Sequence, residues 1–224
     1  MEYQILCKPS YAMLQVSLQD GESIIAESGA MAWMDAGIET QTSTRGGMFQ
    51  GLKRKFLAGE SFFQNVYTAR GARREMTLCA GSAGDVAAIH LDSEELILER
   101  GAFIASDDGV RIDSKFEGFK GLFNQGLFVL RCSGTGPLFF GAYGDLTEVQ
   151  VDGEYVVDNG YAVAWEPSLE YRITRSRKVR SFLFSDQLLL RFSGRGKLWV
   201  QSRSARNLAN WVHPFRRVQK NNNS

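Results

Sequence analysis

The chain has 224 residues, of which 44% are hydrophobic and 23% charged, a composition that excludes an intrinsically disordered protein. The 26 Lys and Arg residues against 25 Asp and Glu give a net charge of +1, so no overall field recruits nucleic acid or an anionic membrane. The sequence contains no uninterrupted run of 18 apolar residues, and we therefore expect no membrane-spanning helix.

The cysteines indicate a reducing compartment. Cys7, Cys79 and Cys132 are odd in number and show no C-x-x-C spacing, which predicts reduced thiols that behave as small apolar residues. Residues 1–7 also lack the charged-then-apolar layout of a secretion signal. We therefore expect a cytoplasmic protein.

The first clear element covers residues 22–42, ESIIAESGAMAWMDAGIETQT, after short predicted strands between residues 3 and 20. An apolar run reaches a turn at 34–37, where Asp35 and Gly37 are turn formers. The return segment alternates apolar and polar residues from Ile38 onward, which is typical of a half-buried antiparallel strand. The pattern predicts a β-hairpin.

The same pattern occurs again at residues 95–114 and 154–174. Aligning the stretches on their opening glutamates places these residues in shared columns: Glu22, Glu95 and Glu154; Ile24, Ile97 and Val156; Ala32, Ala105 and Ala164. We interpret this as an all-β chain of three repeated antiparallel units, packed side by side with pseudo-threefold character. Residues 1–224 would form a single compact unit with a frayed tail at 220–224.

A connector follows each predicted hairpin and combines aromatic with basic residues. The candidate interaction surface comprises Lys53, Arg54, Lys55, Phe119, Phe123, Phe182 and Phe184. The favoured interpretation is that the aromatic residues fold inward and fill the barrel ends or a subunit interface. The alternative is a docking face for a partner or a membrane surface.

Two helices are also expected. The spacing of Phe49, Leu52, Phe56 and Leu57 predicts a short helix in the first connector. A closing strand begins at Lys197, and residues 205–212 are expected to form a short C-terminal helix.

No constellation of residues indicates a reaction. His90 and His213 are the two histidines, too few for the three ligands of a typical catalytic zinc or iron site. No nucleophile motif or phosphate-binding loop has the required spacing. Acids that recur once per unit, such as Asp85 and Glu95, are interpreted as turn or cross-strand partners. We therefore assign no catalytic, metal-binding or cofactor-binding residue.

Four segments in order carry a family resemblance over residues 3–212. They are GESFFQNVYTA, GLFVLRCSGTGPLFFGAYGDLTEVQVD, GEYVVDNGYAVAWEPSLEYRI and GRGKLWVQSRSARNLANWV. The chain resembles the family of the yeast mitochondrial protein "altered inheritance of mitochondria 24", which has many bacterial members. The resemblance implies a fold similar to the tryptophan RNA-binding attenuation protein, with a shortened double-stranded β-helix present three times per chain. It also implies association of chains as trimers.

Three functional hypotheses remain. The first is a non-enzymatic homo-oligomeric scaffold or partner-binding protein, with a membrane surface as a candidate docking partner. The second is an RNA-binding ring that uses the basic connectors, which the balanced charge makes the less favoured partner choice. The third is an enzyme or small-molecule binder with a site at a subunit boundary.

Overall fold

The protein is represented by a computed structural model, which describes residues 1–43, 64–117, 127–175 and 188–216. Most of these residues form antiparallel β-strands, as predicted, and residues 205–212 form the expected helix. Within the described ranges the elements are β1 (Glu2–Leu6), β2 (Met13–Leu18), β3 (Ser23–Glu27), β4 (Met31–Met34), β5 (Ile38–Ser43), β6 (Gln64–Ala69), β7 (Arg74–Cys79), β8 (Val86–Glu99), β9 (Phe103–Asp107), β10 (Val110–Glu117), β11 (Leu127–Gly141), β12 (Leu146–Asp158), β13 (Ala162–Trp165), β14 (Leu169–Arg175), β15 (Leu188–Gln201) and α1 (Ala205–Val212).

The strands form because apolar residues recur with a period of two. In β2, Leu14, Val16 and Leu18 are fully buried, whereas Gln15 between them is partly exposed. Successive side chains of a strand point to opposite faces, so this alternation gives each strand one core-facing side. The core that results is divided into three clusters of buried side chains.

Each core cluster is built mainly from one of three consecutive sets of strands. The first set is β2–β7, the second is β8–β11 and the third is β12–β15. Long strands in the second and third sets take the place of two shorter strands in the first. For example, β8 corresponds in chain order to β2 followed by β3, and β11 to β6 followed by β7.

Glycine allows the long strands to change direction. Gly134 in β11 has φ +125° and Gly194 in β15 has φ +122°, a region that residues with a Cβ rarely adopt. A Cβ on Gly134 would also lie 2.3 Å from the carbonyl oxygen of Gly109. The recurring Ser-Gly dipeptides therefore have a backbone role. The pairing of β8 with β11 shifts register next to Gly134.

The turns and strands predicted in the three recurring stretches are present, but the two strands of each stretch do not pair with each other. Instead β9 and β10 both pair with β11, and β13 and β14 both pair with β15. In the first set, β4 pairs with β7 and β5 with β6. Each turn therefore joins two consecutive strands that pair with other strands and not with each other. Asp, Gly and Pro favour such a turn as readily as a chain reversal, so local sequence does not distinguish the two.

Strand pairing also corrects the alignment of the first stretch by one residue. Ser23 lies opposite Thr68 as Glu95 lies opposite Ser133 and Glu154 opposite Ser193. Ser23, and not Glu22, therefore corresponds to Glu95 and Glu154, and Ile25, not Ile24, corresponds to Ile97 and Val156. The alignment on the opening glutamates is therefore wrong by one residue in the first stretch. An alignment on Gly29, Gly101 and Gly160 gives the same residue matches as the strand pairing.

The same correction follows from a shared irregularity. Pairing skips one residue in each of three short strands: Ala32 in β4, Ile104 in β9 and Val163 in β13. A skipped residue of this kind is a β-bulge, which bends the strand and increases its twist.

Two strand pairings join strands of the three sets in one eleven-stranded sheet. β3 of the first set pairs with β9 of the second, with Ile25 opposite Ser106. β8 of the second set pairs with β13 of the third, with Ile97 opposite Trp165. The eleven-stranded sheet has β12 and β5 at the ends of its strand order, and the separate four-stranded sheet has β1 and β4 at its ends.

Candidate interaction surfaces

The seven connector residues predicted as an interaction surface lie outside the described residues. Lys53, Arg54 and Lys55 fall in 44–63, Phe119 and Phe123 in 118–126, and Phe182 and Phe184 in 176–187. The helix predicted near Phe49–Leu57 and the tail at 220–224 also fall outside the described residues. The surfaces described below were not among the sequence predictions.

The first surface consists of two outer strands, β4 at one end of the four-stranded sheet and β12 at one end of the eleven-stranded sheet. In β4, Trp33 is 54% exposed and Met31 is also exposed. In β12, Val156 is 44% exposed and Tyr155 is also exposed. Among the described residues, β4 pairs on one side only, with β7, and β12 pairs on one side only, with β15. Apolar side chains on an unpaired edge form a template for another strand.

The missing neighbour explains the exposure of these residues. Ile25 and Ile97 occupy the positions in β3 and β8 that correspond to Val156 in β12, and both are buried. Ile25 has β9 alongside it and Ile97 has β13. Val156 has no such strand within the described parts of the chain, so the same position is left open to solvent.

The second surface is the apolar side of α1 and the turn that follows it. Leu208, Trp211, Val212 and Phe215 recur at i, i+3, i+4 and i+7 and are all exposed, Trp211 by 68% and Phe215 by 74%. The Trp211 and Phe215 rings lie 5.7 Å apart between centroids. The sequence already contained this spacing, and it could have revealed the apolar side.

Contacts at its first turn tie α1 to the third strand set. The Asn207 Nδ2 donates to the hydroxyl of Tyr161 over 2.8 Å, and the Leu208 amide closes the first helical turn on the carbonyl of Ser204, the residue before α1. Ser204 is itself buried, and a Cβ on Gly160 would come within 2.7 Å of its Oγ. No residue of α1 is buried, so the helix is held at its start while its apolar side faces solvent.

A partly buried group of charges lies near the junction between the first two strand sets. Burial raises the pKa of Glu27 to about 7; the nearby Arg100 lowers it and Glu99 raises it further. Burial also raises the pKa of Glu99, whose Oε2 accepts a hydrogen bond from the Gly101 amide over 2.9 Å. The Arg100 guanidinium lies 5.7 Å from the centre of the Phe128 ring.

The cysteines are free thiols with different environments. Cys132 is fully buried in the second core cluster, and burial raises its pKa to about 12, so it acts there as an apolar residue. Burial also raises the pKa of Cys79. Cys7 is exposed, so the expectation of a small apolar residue does not hold for it.

The other residues singled out in the sequence have structural surroundings. Asp85 accepts from the Val86 amide and pairs with Lys8, and Glu95 pairs across the strands with Arg131 at 3.1 Å. These contacts confirm the turn and cross-strand roles predicted for the two acids. His90 lies on β8 and is exposed.

The described ranges contain neither a candidate metal site nor a helix that could span a membrane. Among those residues, no three His, Cys, Asp or Glu side chains come together in a group that could hold a metal ion. None of the helices found there is both long and apolar enough to cross a membrane.

Comparison with known proteins gives two relatives from Streptococcus pyogenes. An uncharacterized protein of serotype M6 is 25% identical over 213 residues, which cover 90% of this chain and 86% of the relative. The X-ray crystal structure of a structural-genomics target from the same species superimposes with a TM-score of 0.81 and 22% identity, covering 96% of this chain and 99% of that one. The second similarity concerns the fold alone.

The family described as "Mitochondrial biogenesis AIM24" matches residues 3–203, nearly the whole chain. This agrees with the four segments that carry the resemblance in the sequence. The chain belongs to the AIM24 family.

Proposed function

We propose that this protein is a non-enzymatic, homotrimeric scaffold in which β12 of one copy pairs with β4 of the next. The observation that carries the proposal is the pair of open apolar edges of β4 and β12, which are end strands of the four-stranded and the eleven-stranded sheet. Each edge corresponds to a strand that is paired elsewhere in the same chain. A second copy would therefore supply the neighbour that both edges lack.

The proposal includes a threefold internal repeat, in which each strand set is one shortened double-stranded β-helix. Three observations support it: the shared bulges at Ala32, Ile104 and Val163, the three core clusters, and the matching pairings around Ser23, Glu95 and Glu154. Each set then has a front strand (β4, β9 or β13) and a back strand (β3, β8 or β12). The two internal junctions each join a back strand to the front strand of the next set.

The internal junctions define the register expected between copies. Ile25 lies opposite Ser106, and Ile97 opposite Trp165. By the same correspondence, Val156 of one copy would lie opposite Met34 of the next. Such a contact uses two different surfaces and is therefore heterologous, and heterologous contacts close into a ring when the rotation between copies allows it. Three copies agree with the trimer that the family resemblance implies.

The oligomeric mass tests the assembly. Light scattering coupled to size exclusion should give about 75 kDa for the wild type, three times the 25.0 kDa chain. Val156→Lys should give a single-chain mass, because a lysine on an edge strand opposes strand addition. Thr147→Lys, at an exposed position of the same strand outside this edge segment, is the matched control and should remain trimeric. A monomeric wild type, or a trimeric Val156→Lys variant, would contradict the proposal.

Cross-linking tests the register. In a Cys7→Ser background, Val156→Cys combined with Met34→Cys should form disulfides between copies under mild oxidation, seen as covalent dimers and trimers on a non-reducing gel. Val156→Cys combined with Tyr11→Cys introduces a thiol outside β4 at a position more exposed than Met34, and this pair should not form disulfides between copies. Equal cross-linking of both pairs would show that the contact is not specific to β4.

The location proposed for the scaffold is the cytoplasm. Cys7, Cys79 and Cys132 support this, because free thiols persist in a reducing compartment.

A further inference from the structure

We infer that α1 and the turn after it dock this protein on an anionic lipid surface. The inference goes beyond the proposed scaffold, because it assigns a lipid-binding site, and it does not depend on strand pairing between copies. Its basis is an exposed amphipathic segment with aromatic residues on one side, in a stretch of sequence whose Lys and Arg residues are accompanied by no Asp or Glu.

The apolar side of this segment is suited to the boundary between lipid headgroups and acyl chains. Trp211 and Phe215 are its most exposed members, and their rings lie side by side, with Leu208 and Val212 completing the stripe. Tryptophan and phenylalanine on one side of a short helix are typical of segments that lie in the membrane interface. The hydrogen bond from Asn207 to Tyr161 holds the helix on the protein surface without covering this side.

Charge favours an anionic lipid surface as the occupant. From residue 201 to the last residue, the sequence contains five basic residues and no Asp or Glu: Arg203, Arg206, Arg216, Arg217 and Lys220. The chain as a whole has a net charge of only +1, so this excess of positive charge is a local property. Basic residues beside an interfacial helix attract anionic headgroups, and the attraction weakens as salt screens it.

A second copy of this chain is the competing occupant, because α1 is tied to the same strand set as the β12 edge. The charge pattern favours lipid, since a self-complementary contact would bring the same basic cluster close to its own copy. Several docking segments on one assembly would also strengthen binding, because each further contact with the surface is then intramolecular.

Flotation on vesicles tests the inference with the full chain. Wild-type protein should float with vesicles of phosphatidylcholine containing one quarter phosphatidylglycerol, and should stay at the bottom with phosphatidylcholine alone. Trp211→Ser with Phe215→Ser should reduce the floated fraction by about fivefold or more, because the apolar contact is lost. Tyr11→Ser, which removes an aromatic ring that is 74% exposed elsewhere, is the matched control and should float as the wild type does.

A second pair of arms tests the charge. Arg206→Glu with Arg216→Glu should reduce flotation on the anionic vesicles, as should salt raised to about 0.5 M. Failure of the wild type to float, equal flotation on neutral vesicles, or flotation unchanged by the aromatic double variant would overturn the inference. A lower oligomeric mass for that variant together with no wild-type flotation would show that α1 covers another copy.

The two proposals can fail independently. Val156→Lys should still float, with a smaller floated fraction, because it keeps α1 but loses the multiple contacts of the assembly. A wild type that floats but is monomeric would support docking and contradict the trimer. A trimeric wild type that does not float would support the trimer and contradict docking.

Discussion

The junction between β8 and β13 and the open edge of β12 use corresponding positions of the chain in opposite environments. At the junction, Ile97 lies opposite Trp165 and both are buried. At the open edge, Val156 has the same place in its strand and is largely in solvent. Sequence type does not account for the contrast, because both positions hold β-branched aliphatic residues. The difference is the presence or absence of a neighbouring strand.

Where a neighbouring strand is present, as at Ile97, the pairing is intramolecular and contributes to the stability of the monomer. Where no second neighbour is described, as at Val156, we propose that the open edge pairs with another copy. Natural proteins generally protect exposed edge strands with charge, proline or a covering segment. The open apolar edges of β4 and β12 are therefore a reason to expect assembly.

Trp165→Ala should give the largest effect on stability, because it acts on the closed junction. Trp165 is fully buried, and its ring lies 5.0 Å from that of Tyr171 and 5.4 Å from that of Phe192 between centroids. Loss of a buried aromatic side chain lowers the free energy of unfolding by about 3–5 kcal/mol. Chemical denaturation in the Val156→Lys background would measure it without a contribution from assembly.

Met34→Ala is the matched change at the open end, because Met34 corresponds to Trp165 in its strand. In the same background it should lower the free energy of unfolding by only about 1 kcal/mol, since Met34 is partly exposed and has a neighbouring strand, β7, on one side only. In the wild-type background it should weaken the trimer. If Trp165→Ala and Met34→Ala lowered the free energy of unfolding equally in this background, the distinction between the closed junction and the open edge would be wrong.

Gly134→Ala and Gly194→Ala should each lower the free energy of unfolding by about 2 kcal/mol. A left-handed conformation strains any residue with a Cβ, by about 1–3 kcal/mol. The added Cβ would also meet a backbone oxygen, that of Gly109 or of Ser168. Gly134 belongs to the second set and Gly194 to the third, so similar losses in thermal or chemical unfolding would show that the bend does not depend on a neighbouring set.

Gly81→Ala is the control for the glycine variants. Gly81 has open space around it and no left-handed conformation, so its substitution should change the free energy of unfolding by no more than about 0.5 kcal/mol. If Gly194→Ala lowered the free energy of unfolding by no more than this, the left-handed conformation of Gly194 would not be required for the fold.

Glu27→Gln should give a smaller effect, confined to a pH window. The pKa of Glu27 is raised from 4.5 to about 7, so the folded state binds the proton more tightly than the unfolded state. Wild-type stability should therefore fall as pH rises from about 4.5 to 7, and the variant should show a smaller fall, because Glu99, whose pKa is also raised, still contributes. At pH 8 the variant should be more stable by about 1–2 kcal/mol, a value reduced for solvent screening because Glu27 is partly exposed.

Denaturation midpoints of the wild type and the variant at pH 4.5, 6 and 8 would measure this difference. Glu170→Gln makes the same change at an exposed position and should leave the pH dependence of the wild type unaltered. An unchanged pH profile in Glu27→Gln would show that this carboxyl group is not the source of the effect.

Much of the strand content followed from local sequence. Alternation from Ile38 onward and turn residues such as Asp35 and Gly37 predicted strands and turns, and residues 205–212 were expected to form α1. These features depend on residues close together in the chain, and a period of two or 3.6 records them directly. The family assignment also followed from the order of the four segments.

The candidate surfaces were less accessible from sequence. The connector residues Phe119, Phe123, Phe182 and Phe184 attracted attention because aromatic and basic residues stood together, and they lie outside the described residues. The apolar side of α1 was visible as a spacing, but only its exposure distinguishes a docking surface from a buried side. The β12 edge gave no signal, because Val156 and Ile97 look alike in the sequence.

The sequence by itself determined that this chain is built of strands with a recurring pattern, which family it belongs to, and where its helix lies. Only the tertiary structure decided which strands pair, that Ser23 and not Glu22 corresponds to Glu95, and which edges stay open. The physical reason is that side-chain periodicity specifies which side of a strand is buried but not its neighbour. Pairing is set by contacts between residues far apart in the chain, and among the described residues those contacts leave one edge of β4 and one edge of β12 open.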